Sequence, residues 1–166
     1  MEIVSINKSI RLSEHFSLGE VTKSSHTEIN NIPSHVAIEN LKRVCVWLED
    51  LRFTYNSLYC LKPGEDYETS KNVEPIIINS GYRSPELNKK VGGAPTSNHL
   101  TGCAVDIHVA GIEQAMRYAV ILMDYADETK QDYDELLVER SPQGNYWLHF
   151  AVRPKDNRRK TLMIQT

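Results

Sequence analysis

Two imidazoles and one carboxylate carry the clearest chemistry in this chain. His99 and Asp106 stand seven positions apart within Ser97-Asn98-His99-Leu100-Thr101-Gly102-Cys103-Ala104-Val105-Asp106, and a second histidine, His149, follows in the apolar run Trp147-Leu148-His149-Phe150. Two neutral imidazoles and one carboxylate are a normal zinc set. They leave a fourth position open to water, the feature that separates a catalytic zinc site from a structural one. A metal with only one carboxylate among its ligands keeps net positive charge and acidifies water bound to it. The expected chemistry is therefore metal-assisted hydrolysis.

Such a site also needs a group to take a proton and return it to the leaving amine. Glu139 is the candidate, at the end of a strand-like run one turn before His149. Arg83, in the turn Ser80-Gly81-Tyr82-Arg83 after an apolar run, is the candidate substrate clamp, because a guanidinium fork pairs bidentately with carboxylates. Ser97 could hydrogen-bond substrate or cap a turn, and Tyr82 could line a pocket or pack. His108, two residues after Asp106, reads as a partly exposed strand histidine.

The elements that must position these residues follow from periodicity. Val36, Leu41, Val44, Leu48 and Leu51 recur at helical spacing behind Ser34, a good N-cap, and predict a helix from His35 to about Tyr55. Phe16–Lys23 reads as a short helical turn, with Ser17 and Glu20 in capping-box spacing. Leu61–Glu74, with Pro63-Gly64, is a surface loop, and Pro75–Asn79 is a buried β-branched strand. Pro85–Val91 is a short helix. From Gly102 to Val109 the pattern alternates, so Cys103, Val105, Ile107 and Val109 face the core while Asp106 points to a cleft or to solvent. Ile112 to about Tyr125 is a helix. Glu135–Glu139 and Asn145–Val152 are strands joined by the turn Gln143-Gly144-Asn145. Their alternation places Glu135, Leu137 and Glu139 on one face, and Trp147, His149 and Ala151 on one face of the partner. Helices followed by hairpin-spaced strands give an α+β class with a small antiparallel sheet packed with helices.

Composition narrows the rest. The 166 residues suit one domain, 1–166, with a core over 10–155 and a basic tail over 156–166 in which Arg158-Arg159-Lys160 is solvated. The net charge of -3 gives no reason to expect nucleic acid or an anionic membrane. No apolar run reaches the ~18–20 residues of a membrane span. Met1–Lys8 lacks a basic region followed by an apolar core, so no secretory signal is expected. Three cysteines without CxxC spacing indicate reduced thiols. Cys103, on the face opposite Asp106, reads as a small buried hydrophobe; a cysteine hydrolase working through it would resist chelators and succumb to alkylation.

The runs Ser80-Gly81-Tyr82-Arg83-Ser84-Pro85-Glu86-Leu87-Asn88 and Val91–Ile107 resemble the zinc D-Ala-D-Ala carboxypeptidase family, including its phage endolysin members. The pattern S-x-H-x-x-G-x-A-x-D is met by Ser97, His99, Gly102, Ala104 and Asp106, and Trp-x-His by Trp147 and His149. Phe16–Ser24 and Asn31-Ile32-Pro33 resemble the N-terminal part of the branch with this layout. The resemblance implies the hedgehog/D-Ala-D-Ala peptidase fold and zinc held by His99, Asp106 and His149. It implies that Arg83 steadies substrate or the polarised carbonyl. Better-known relatives carry the catalytic glutamate in a Glu-x-x-His before the last histidine, a position filled here by Tyr146; the branch this chain resembles has it at the end of the preceding strand, which is Glu139. The implied activity is hydrolysis of peptidoglycan stem peptides by a monomer made in the cytoplasm and acting on the bacterial cell wall, in phage or prophage lysis or in a virion. The alternative is a non-catalytic zinc-binding or virion-structural module on the same fold.

Overall fold

The computed structural model describes residues 7–166; most of Met1–Lys8, on which the leader expectation rests, lies outside them. Ser34 caps α1 (His35–Tyr59), its hydroxyl accepting from Ala37 N, and the helix runs one turn beyond its expected end. Leu41, Val44, Trp47, Leu48 and Leu51 form its buried stripe. The long loop 60–77 leads to β1 (Ile78–Ser80), a strand of three residues. Ser84 caps α2 (Pro85–Lys90), with Pro85 at its first turn. A 3-10 turn (Asn98–Thr101) then delivers the chain into β2 (Ala104–His108), followed by α3 (Ile112–Thr129), β3 (Glu135–Arg140), β4 (Tyr146–Ala151) and β5 (Lys160–Gln165).

The five strands form one sheet in the order β1-β2-β4-β3-β5. One face packs on α1 and α3. Trp47 joins the two halves of that core, with its ring 4.8 Å from Tyr125 on α3 and 5.4 Å from Phe150 on β4. Burying large aromatics with Leu41, Leu48, Leu136 and Leu148 supplies the main driving force for this arrangement. The class is α+β as expected. No helix among the described residues is long and apolar enough to cross a membrane.

Two details correct the expectation. The sheet is mixed, because β5 pairs parallel with β3 while every other pair is antiparallel. And the segment read as a solvated tail is an ordered edge strand. Its apolar run Leu162-Met163-Ile164 suits a strand, and its first residues are anchored by backbone bonds from Arg159 N to Tyr133 O and from Lys160 N to Asp134 O, both 2.9 Å. Arg158, half exposed, pairs with the buried carboxylate of Asp134. The capping-box pair near Phe16 does form, with Ser17 N donating to Glu20 at 2.7 Å, but within a turn that does not continue as a helix.

Candidate metal centre

Register decides which side chains meet. Asp106 pairs with His149 across β2 and β4, and His149 pairs with Leu137 across β4 and β3. Residues in register share a face, so Asp106 and His149 stand side by side on the sheet face away from α1 and α3. His99 reaches the same point from the 3-10 turn. That turn is fixed by its own chemistry: Ser97 accepts from His99 N, and Gly102 ends it at φ 74°, where a Cβ would lie 2.4 Å from the carbonyl oxygen of Ala37 on α1. Only glycine satisfies both the left-handed backbone and that approach.

His99, Asp106 and His149 are 2%, 8% and 7% exposed. His99 Nε2 lies 3.3 Å from Asp106 Oδ1, and His149 Nδ1 lies 2.9 Å from the same oxygen. Ligand atoms around a tetrahedral zinc with 2.0–2.1 Å bonds are roughly 3.3 Å apart, so the donor set fits the ion by type and by spacing. The far nitrogens support the fit. His99 Nδ1 donates to the Gly81 carbonyl at 2.6 Å, which leaves Nε2 as the ligand atom. His149 Nε2 donates to Glu135 Oε2 at 3.1 Å, which leaves Nδ1 turned to Asp106. A ligand histidine held by an acceptor on its other nitrogen is the usual arrangement of a metal site. Glu14, His15 and Glu68 also gather, but at the surface, where such clusters are common.

The electrostatics are those of a charged cluster, in which an incoming metal must displace the Nδ1 proton of His149. Burial pushes the Asp106 carboxyl up, yet hydrogen bonds from His149 and His99 outweigh it and hold the group well below the usual range. Burial disfavours the His149 cation, but Asp106 and Glu135 on its two nitrogens raise it to about 9. Hydrogen bonding from His149 holds Glu135 down at about 2. Glu139 behaves oppositely. It shares a cleft of about 420 Å³ with His149, Ser97 and Asn98, and burial, then the nearby charge of Asp106, push its carboxyl above the ordinary value. A carboxyl of raised pKa beside a ligand cluster is what proton transfer near neutral pH requires.

Arg83 does not stand free. Its Nη2 donates to Asp106 Oδ2 at 2.9 Å and its Nε to Ser80 Oγ at 3.0 Å, so it neutralises the carboxylate oxygen that faces away from the histidines. Tyr82 is 8% exposed and packs with the hydrophobic core, and burial raises its hydroxyl. Cys103 is buried and its thiol is pushed up by burial, as a small core residue should be.

Sequence reasoning missed the acids behind the site. Asp134, with no exposed surface, accepts from Asn98 Nδ2 at 2.7 Å, from Arg153 at 2.6 Å and from Arg158 Nε and Nη2 at 2.9 and 2.8 Å. Glu135 accepts from His149, from Asn98 at 3.1 Å and from Arg158 at 3.0 Å. The signal was present: strand alternation puts Glu135 on the face of Leu137, the register partner of His149.

Residues 65–131 match the family model described as Peptidase M15. The matched span runs from the long loop through β1, α2 and β2 to α3, and includes Arg83, His99 and Asp106; Glu139 and His149 lie after it. A search of curated proteins finds no match to the chain.

Proposed function

We propose that this chain, whose residues 65–131 match the peptidase M15 family model, is a zinc peptidase that hydrolyses peptide bonds in peptidoglycan stem peptides. The observation that carries the reading is the buried convergence of His99, Asp106 and His149, each imidazole oriented by an acceptor on its far nitrogen. These three residues would hold the ion. A divalent zinc there would supply Lewis-acid polarisation of the scissile carbonyl and lower the pKa of water.

The chain's own groups do the rest. Glu139, exposed to the cleft and above the ordinary carboxyl range, takes the proton of the attacking water as a carboxylate and gives it to the leaving amine as an acid. Arg83 keeps Asp106 turned toward the two histidines through its bond to Oδ2, and its remaining donors can steady the carbonyl oxygen as charge develops. Asn98 ties the turn that carries His99 to the acids at the start of β3. The cell wall is the place of action in this reading, in phage or prophage lysis or as a virion component.

The test is hydrolysis of purified peptidoglycan and of defined stem peptides, with and without a chelator, followed by mass spectrometry. Chelator-sensitive cleavage is expected, and the fragment masses name the bond and so distinguish a carboxypeptidase from an endopeptidase. Metal-replete protein that binds stem peptides but cuts none would make the chain a binding module instead.

A further inference from the structure

The cleft that holds His149 and Glu139 has a wall the proposed reaction does not use. Its far side is formed by Arg153, Arg158 and Lys160, at and just before β5. Arg153 and Arg158 are committed to Asp134. Lys160 is held only by a loose ion pair with Glu135. It pairs in register with Glu135, so both side chains stand on the face that carries His149. Yet its ammonium is 3.8 Å from Glu135 Oε1, beyond hydrogen-bond distance. Arg158 takes Oε1, while His149 and Asn98 take Oε2. The ammonium makes no hydrogen bond among the described residues, and at 42% exposure its side chain is half-covered by the cleft. An ammonium positioned in a cleft, with three donors and no acceptor, is a receptor for a carboxylate.

We propose that Lys160 is a carboxylate-binding position of this cleft and selects acidic peptides. The proposal rests on the peptidase reading for its ligand being a peptide. The gaps from Lys160 to Glu135 and from Glu135 to His149, with the width of a carboxylate between them, put the ammonium within roughly 9 Å of His149 Nε2. An extended peptide advances about 3.3 Å per residue. The acidic group therefore sits within about three residues of the bond being cut, as a side chain or as the chain terminus. Leu162, the next β5 residue on the same face, pairs with Leu137 beside His149 and is exposed. It offers an apolar surface for the stem of that residue.

The experiment uses zinc-loaded full-length chain and N-acetylated alanine tetrapeptides in two matched pairs. One pair differs in a side chain, glutamate against glutamine; the other in the terminus, free carboxylate against carboxamide. Binding is followed by NMR titration, and mass spectrometry of the recovered peptide reports cleavage. Preference is read as the ratio of Kd values, or of kcat/KM where a peptide is cut. The parent should favour the carboxylate member of one pair by about fivefold, the size expected of a partly exposed ion pair. Which pair shows it identifies side chain or terminus. Lys160→Met should bring the two members together and Lys160→Arg should keep them apart, with thermal melting confirming that both variants are folded. A parent that binds both members of both pairs equally overturns the proposal, as does a preference that survives in folded Lys160→Met. Failure of the peptidase reading shows separately, as intact peptide throughout.

Discussion

Replacing Asp134 by Asn tests the anchoring of the C-terminal strand in quantitative terms. The carboxylate has no exposed surface and accepts from Arg158, Asn98 and Arg153, and these bonds overcome its burial to hold it down at about 2 against an ordinary 3.8. Each pKa unit is worth 1.36 kcal/mol between protonation states, so the charge contributes about 2 kcal/mol to folding. Because the folded value is depressed, that contribution is complete above the unfolded value of 3.8 and disappears as pH falls toward 2. Asp134→Asn keeps the volume and removes the charge. At pH 7 it should cost about 2 kcal/mol, or about 4–8 °C in Tm for a chain of this size. Below pH 4 the parent loses the same stabilisation, so the two unfolding curves should approach each other and meet near pH 2. Urea unfolding followed by far-UV circular dichroism at pH 7, 4, 3 and 2.5, in chelator, measures both quantities. A gap under about 0.5 kcal/mol at pH 7, the range of an ordinary surface change, refutes the reasoning. So does a gap that stays constant below pH 4.

Metal and base give the remaining tests. Zinc at about 100 times its Kd should stabilise the parent by about 2.7 kcal/mol, a rise of about 5–10 °C in Tm over protein in chelator; His149→Ala and Asp106→Asn should abolish the rise, and a rise that survives His149→Ala would place the ion elsewhere, for instance at the surface group of Glu14, His15 and Glu68. Glu139→Gln should retain the parent's zinc stoichiometry and lose about 10²- to 10⁴-fold in kcat. In the parent, activity should fall with decreasing pH along a limb above the ordinary glutamate value, because burial raises Glu139 and the base must be ionised to accept a proton. An unchanged kcat in Glu139→Gln, or a limb that persists in it, would remove Glu139 from the role.

What the sequence made legible follows from distance along the chain. The His99–Asp106 spacing, the alternation of β2 and β4, the cap at Ser34 and Pro85 at the start of α2 are local signals, and they mark the elements with boundaries shifted by a few residues. That β5 returns beside β3, skipping β4, is a non-local pairing, and a run of Arg-Arg-Lys masked the short apolar run just after it. The sequence leaves Tyr82 open between packing and lining a pocket for a related reason. It sits in a turn rich in binding-type residues, but its backbone N–H bonds Val21 O at 2.7 Å, which draws the turn onto the core and buries the ring. The acids at the start of β3 escaped notice because their partners Arg153 and Arg158 come from later in the chain, where no local pattern links them to Asp134 and Glu135.

The close approach at Gly102 has a thermodynamic consequence. The turn bearing His99 is pressed against the Ala37 carbonyl in the first turn of α1, and Asn40 Nδ2 donates to Thr101 O at 2.9 Å from the same helix. The candidate ligand His99 is thus placed by a helix from the opposite side of the sheet's core. Any fluctuation that lifts the start of α1 also withdraws His99, so ion binding and the closing of that helix are linked equilibria. An ion that holds His99 in place must suppress those openings in proportion to its affinity. Amides in the early turns of α1 should therefore exchange with solvent more slowly in the loaded protein, although none of them touches the metal centre.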